Sequence, residues 1–388
     1  MESEMKSTAI RDIAMASALA FSGIAFPLPS NAQNSPQWKG TITKEGDVVV
    51  VRNPKEPIYE SKIFELKEEL SLGGGQASGE TAFFGINDIG IDGLGNIYIV
   101  DLSAGHILKI DKNGKFLRTI GRKGQGPGEF QMLSLIFFAQ DGKTFRTFDN
   151  LNHKLSQFSL DGDYITADIL PSGTLLHAAL DSQGRLYVGT TSYETRRIEV
   201  QRYDGSMKSA AKFGVYPLGG AENPEAPHLR WTIDSRDEVV IAYPLKYELL
   251  FFSYDGRLIK KVTKTHNPVK LTEEEKKDAI RSVPKTRTPN VQDYHSAYQD
   301  LFVDDEGRTF VKTWERADAG AAFIYDIFDP DGRFLARCPL QGRPFHIKKR
   351  KLYSVERDSD DFQTVKRYAV LWTFPEPRET TLHEEKSS

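Results

Sequence analysis

Asp92-Gly93-Leu94-Gly95-Asn96-Ile97-Tyr98-Ile99-Val100-Asp101 is a polar turn running into an apolar strand. Shortly after it, Ile107-Leu108-Lys109-Ile110-Asp111-Lys112-Asn113-Gly114-Lys115-Phe116 carries a second strand into an Asn-Gly turn. Both turn residues tolerate positive φ, so Asn113-Gly114 between apolar runs predicts a β-hairpin. The pattern recurs. Paired turns open at positions 92 and 113, 141 and 161, 181 and 204, 234 and 255, and 304 and 331. A unit of roughly 40–50 residues holding several short strands is the period of a β-propeller blade.

Copy one covers 83–121 and reads as four strands. Further copies cover 133–170, 175–213, 228–262 and 298–340. The last copy, 343–372, offers only three strands, while a segment with alternating apolar residues at 63–72 is spare. Pairing the two completes a sixth blade and removes the sheet edges an open array would expose. The expected fold is all-β: a six-bladed β-propeller over 58–374 with four-stranded blades, its ring closed by an N-terminal strand. Residues 33–57 read as an extended lead-in, 214–227 as a Gly/Pro-rich loop and 375–388 as a disordered tail. An insertion at 264–297 separates copies four and five. In it Thr272-Glu273-Glu274-Glu275 is a capping box, which predicts a helix to about residue 283 stopped by Pro284.

The chain has 388 residues, of which 39% are hydrophobic and 11% aromatic, enough for a substantial core. Its 51 basic and 54 acidic residues nearly balance, and no basic stripe invites nucleic acid. Cys338 is the one cysteine, so no internal disulfide can form, and it reads as a small buried apolar residue. Lys6 and Arg11 precede a 13–26 run without charge, and Ser30-Asn31-Ala32 suits cleavage. Residues 1–32 therefore read as a signal peptide. Cleavage would leave no membrane span. A protein that is secreted without disulfides fits a bacterial periplasm.

Gly121-Arg122-Lys123-Gly124-Gln125-Gly126-Pro127-Gly128-Glu129-Phe130 resembles the inter-blade signature of NHL-type six-bladed propellers, a fold frequent among bacterial secreted proteins. The stretches 95–101 and 107–116 agree with it, and copy one carries the closest match. The resemblance implies the fold. It says little of activity, because relatives include lyases, hydrolases and pure binding proteins. Read from its residues, the motif is structural: Gly and Pro shape the turn, and Phe130 anchors the crossover.

The first strand of each blade lines a propeller's channel. Aligned on Ile97, Phe145, Leu186, Val239, Thr309 and Leu352, the position nine residues earlier holds Asp88, Ile136, His177, Arg230, Asp300 and Arg343. Five polar or ionisable residues in otherwise apolar strands are unusual near a core. Asp88, His177, Arg230, Asp300 and Arg343 are thus candidate ligand-binding residues. Asp88, Asp300 and His177 could hold a divalent cation: calcium or magnesium by the oxygen ligands, zinc by the imidazole. Arg230 and Arg343 could clamp a carboxylate or phosphate. His177 suits proton transfer near neutral pH, so His177 and Arg230 are the candidate catalytic pair. The alternative is a network of paired charges that only holds blades in register. His228 and His346 fall in first strands but off the column. Trp231 and Trp314 read as pocket wall or core.

Three functions stay open. The first is an exported monomer that binds a small molecule, glycan or peptide on the face bearing the 264–297 insertion. The second is a metal-dependent lyase or hydrolase on the channel axis. The third is an interaction platform for an envelope protein.

Overall fold

The strands alternate or are fully apolar according to their place. Ile97–Asp101 is buried along its whole length, whereas Phe116–Ile120 exposes its middle residues. That gradient is what a sheet gives when its first strands face inward and its last faces solvent. In the computed structural model, which describes residues 37–60, 63–75, 82–139, 141–170, 174–192, 194–218 and 228–373, the strands form six sheets of at least four strands. The expected signal segment 1–32, the tail 375–388 and residues 219–227 of the expected loop lie outside the described residues.

Each blade is an antiparallel meander. Blade 1 is Ile86–Ile91, Ile97–Asp101, His106–Ile110 and Phe116–Ile120; blade 2 is Leu133–Phe138, Thr144–Asp149, Lys154–Ser159 and Tyr164–Ile169. Blade 3 is Thr174–Leu180, Leu186–Ser192, Arg197–Tyr203 and Ser209–Pro217; its last strand takes in Gly214 and Pro217, so no loop begins at 214. Blade 4 contains Arg230–Ile233, Val239–Ala242, Glu248–Phe252 and Leu258–Lys264; blade 5 is Asp300–Val303, Thr309–Ala317, Ala322–Phe328 and Phe334–Gln341. Blade 6 is Arg343–Lys348, Lys351–Arg357 and Gln363–Trp372, with Phe64–Gly73 paired antiparallel to the last of these. The first strands neighbour one another in a circle, blade 6 next to blade 1.

The repeated turns have a common cause. The Asp92 carboxylate accepts the amides of Leu94 and Asn96, both at 2.9 Å. Asp181, Asp234 and Asp304 each accept the amides two and four residues on in the same way. An Asp side chain that mimics a backbone turn is the reason for the recurring residue. Six apolar clusters, one at each blade junction, supply the core among the described residues. At the junction of blades 1 and 2, Phe145 stacks on Phe158 at 5.3 Å and meets Tyr98. Phe130 is buried there too, and a Cβ on Gly121 (φ +74°) would lie 2.2 Å from its ring. Burial of Phe130 explains why the crossover motif opens with glycine. Cys338 is a buried free thiol in the cluster between blades 5 and 6.

The stretch 33–57 does more than lead in. Thr41–Glu45 and Val48–Asn53 form a hairpin, and Val48–Asn53 runs parallel to Leu258–Lys264, widening blade 4 to six strands. Asn53 pins it. Its amide donates to Thr263 O and Gly332 O, and its oxygen accepts from Trp38 Nε1 and Phe334 N. The insertion helix is Glu273–Ser282, with both arms of the Thr272–Glu275 capping box formed.

Candidate functional site

A cavity of about 510 Å³ lies where the first strands converge, and all six blades contribute to its wall. Asp88, His177, Arg230, Asp300 and Arg343 all line it. The apolar member of the column differs from the sequence alignment. Six residues separate the paired Phe138 and Phe145 in blade 2, against five between Ile91 and Ile97 in blade 1, which puts Leu135, rather than Ile136, opposite Phe148 and into the wall. Ile136 turns into the core and donates its amide to Asp88. His228 and His346, off the column by spacing, also line the cavity, as do Trp231, Phe302 and Phe345. No residue of 264–297 does. The insertion instead helps wall a separate cavity of about 500 Å³ with Tyr247, His266, Tyr294 and His295.

Asp88 is 9% exposed. One oxygen accepts the Ile89 amide at 2.9 Å and the other the Ile136 amide at 3.0 Å. Burial pushes its carboxyl up to about 7, against the downward pull of those two amides and of Arg343. His177 meets Trp231 edge to face at 4.8 Å. Burial, then the charge of Arg230, push its imidazole down to about 4. An imidazole held that low is uncharged at neutral pH, whereas the Asp88 carboxyl is the group brought toward it. His346 is likewise pushed down to about 4, mainly by burial.

The two guanidiniums are poorly neutralised. Arg343 donates to Asn87 O at 2.7 Å and sits 4.2 Å from the Phe345 centroid. It has no carboxylate within 4 Å among the described residues. Arg230 Nε lies 3.1 Å from Asp300 Oδ1, but off the N–H line, so this buried donor has no aligned acceptor. Asp300 itself is held by the Leu301 amide. Asp88, Asp300 and His177 share the cavity without forming an ion cage. Among the described residues no three His, Cys, Asp or Glu side chains are grouped to hold a metal ion. Asp88 is committed to two amides and Asp300 to Arg230, and the surrounding positive charge repels a cation.

A family model described as a 6-bladed β-propeller matches residues 74–218. The protein is a six-bladed β-propeller. A candidate exported protein of Bacteroides fragilis superposes on the propeller with a TM-score of 0.56 at 12% identity, over 83% of this chain and 99% of its own. Virginiamycin B lyase of Staphylococcus aureus gives 0.41 at 12% identity, over 79% and 99%. A gluconolactonase of Xanthomonas campestris gives 0.44 at 9% identity, over 74% and 88%. No curated protein sequence matches the chain. At such identities the likeness speaks to the propeller fold and not to its chemistry.

Proposed function

We propose that this propeller is a binding protein whose channel takes a small organic anion with an apolar body. The observation that carries the reading is the pair Arg230 and Arg343, both facing one cavity, with only Arg230 in an ion pair, to Asp300, among the described residues. Trp231, Phe302 and Phe345 offer the apolar wall such a ligand would cover. Guanidiniums recognise carboxylates and phosphates through paired N–H donors, which a neutral ligand cannot use.

Calorimetric titration tests this. Phenyl sulfate should bind, benzyl alcohol of similar shape should not, and Arg343→Gln should weaken phenyl sulfate by about tenfold or more. Equal binding of the two probes, or an inert Arg343→Gln, would defeat the reading.

A lyase or hydrolase is the second reading. Its support is Asp88, a buried acid titrating near 7 in a cleft beside an uncharged imidazole. Against it, both Asp88 oxygens are already engaged by backbone amides. We also place the protein outside the cytoplasm, on the basic start, apolar run and small-residue triplet of residues 6–32. Among the described residues no helix is long and apolar enough to cross a membrane. Mass spectrometry of the protein exported from a bacterial host should find an N-terminus at Gln33; an intact leader on cytoplasmic protein would refute export.

A further inference from the structure

Each channel residue has a neighbour directly opposite on the second strand of its blade. Opposite Asp88, Leu135, His177, Arg230, Asp300 and Arg343 stand Val100, Phe148, Gly189, Ala242, Lys312 and Val355. Residues opposite one another in an antiparallel pair project to the same face. Five of these neighbours are apolar or glycine. Lys312 alone is charged, and partly buried lysines normally have a partner.

Lys312 has none of the ordinary kind. Among the described residues it makes no hydrogen bond and no ion pair within 4 Å; its Nζ lies 3.7 Å from the Phe323 centroid. Arg316 sits over the same ring at 3.4 Å, with Nη1 donating to Gly320 O at 3.3 Å. Two cations on one ring repel each other unless an anion joins them. Burial, partly offset by Asp300, and repulsion from Arg316, Arg230 and Arg343 hold the Lys312 ammonium below its ordinary pKa. Lys312 also stands directly opposite Asp300, which lines the channel cavity, although neither Lys312 nor Arg316 is itself part of that cavity's wall.

We propose that Lys312, backed by Arg316, is a second anion-binding position beside Arg230 and Arg343, and that the channel ligand is a dianion: a phosphomonoester or a dicarboxylate. This rests on the anion-binding reading above and narrows it. Arg316, Arg230 and Arg343 all lie within Coulomb range of Lys312, against Asp300. A single negative charge would leave most of their mutual repulsion in place, whereas two neighbouring charges answer both pairs.

The test uses matched probes on the full chain at about pH 8, where a phosphomonoester with a second pKa of about 6 is doubly charged. Phenyl phosphate should bind about tenfold tighter than phenyl sulfate, which has nearly the same shape but one charge. Succinate is compared with butyrate in parallel, so the two arms separate the phosphate source from the dicarboxylate source. Lys312→Met should cost phenyl phosphate about tenfold while changing phenyl sulfate less than about twofold, and Lys312→Arg should restore the preference. Arg316→Gln, which leaves Lys312 in place, should cut the preference several-fold and serves if Lys312→Met does not fold. Phenyl sulfate binding without any preference for either dianion overturns this inference and leaves the anion reading standing. Equal losses of both probes in Lys312→Met also overturn it. Failure of every anion to bind overturns both.

Discussion

Replacing Asp88 by Asn should change how stability depends on pH, and the structure gives the sign and size. Unfolded, the carboxyl has its ordinary value of 3.8; folded, burial raises it to about 7. An acid with a raised folded pKa holds its proton more tightly in the folded protein than in the unfolded chain. The stability this proton brings is therefore present at low pH and lost as pH climbs from about 4 to about 7. The gap is about three pKa units at about 1.4 kcal/mol each, so the wild type loses about 4 kcal/mol over that window through this one group. His177 and His346 act the other way. Their folded values of about 4 lie below the ordinary 6.5, so their contribution grows as pH rises through the same range. The wild-type profile alone mixes these effects, and the difference between wild type and Asp88→Asn isolates the carboxyl. Asn keeps one acceptor for two amides, a loss of about 1–3 kcal/mol that is the same at every pH. Urea unfolding followed by circular dichroism between pH 4 and 8 reads the result. Relative to wild type, the variant should gain about 4 kcal/mol from pH 4 to 7.5. A flat difference would mean that the Asp88 carboxyl is not shifted. A falling difference would mean that the Ile89 and Ile136 amides outweigh burial.

Other perturbations report on the scaffold. Asn53→Leu strands the groups that its amide now satisfies, and should cost about 3 kcal/mol or more, with faster hydrogen exchange over 41–53 before the blades open. If urea melts and exchange are unchanged, the hairpin is held by something else. Thr272→Ala removes the side-chain cap of Glu273–Ser282; exchange in that helix should rise by the equivalent of about 1 kcal/mol while the global melting point barely moves. Gly189→Ala would place a methyl 2.7 Å from Trp231 Nε1. The indole should shift, seen as changed tryptophan emission, with an overpacking cost of about 1–3 kcal/mol in urea melts. Unchanged emission and stability would show that the close approach is relaxed in solution.

Much of the architecture is local and can be read locally. Asp92, Asp181, Asp234 and Asp304 each bind the amides two and four residues ahead, so the turn repeats in the sequence because it is a self-contained device. The helix after Thr272 is legible for the same reason, since its cap lies within four residues. The polar column at Asp88, His177, Arg230, Asp300 and Arg343 was visible because all first strands lie at one distance from a recognisable second strand. Blade 2 escaped that rule. Its turn is one residue longer, six between the paired Phe138 and Phe145 where blade 1 has five between Ile91 and Ile97, and nothing in Leu133–Phe138, apolar but for Ser134, marks the resulting shift. Lys312 was within reach: the same alignment carried three residues forward would have shown one charge among apolar neighbours.

By itself the sequence determined the blade count, the turns, the insertion helix and the list of polar residues facing the axis, because each depends on spacing within one blade. Tertiary structure alone decided that the 41–53 hairpin joins blade 4, and that His228 and His346 reach the cavity. It also decided that burial raises the Asp88 carboxyl and lowers the His177 imidazole, and that Arg343 reaches the channel with no carboxylate within 4 Å among the described residues. Those outcomes depend on which side chains from different blades share one low-dielectric space, and burial and Coulomb energies exist only once the blades have brought them together.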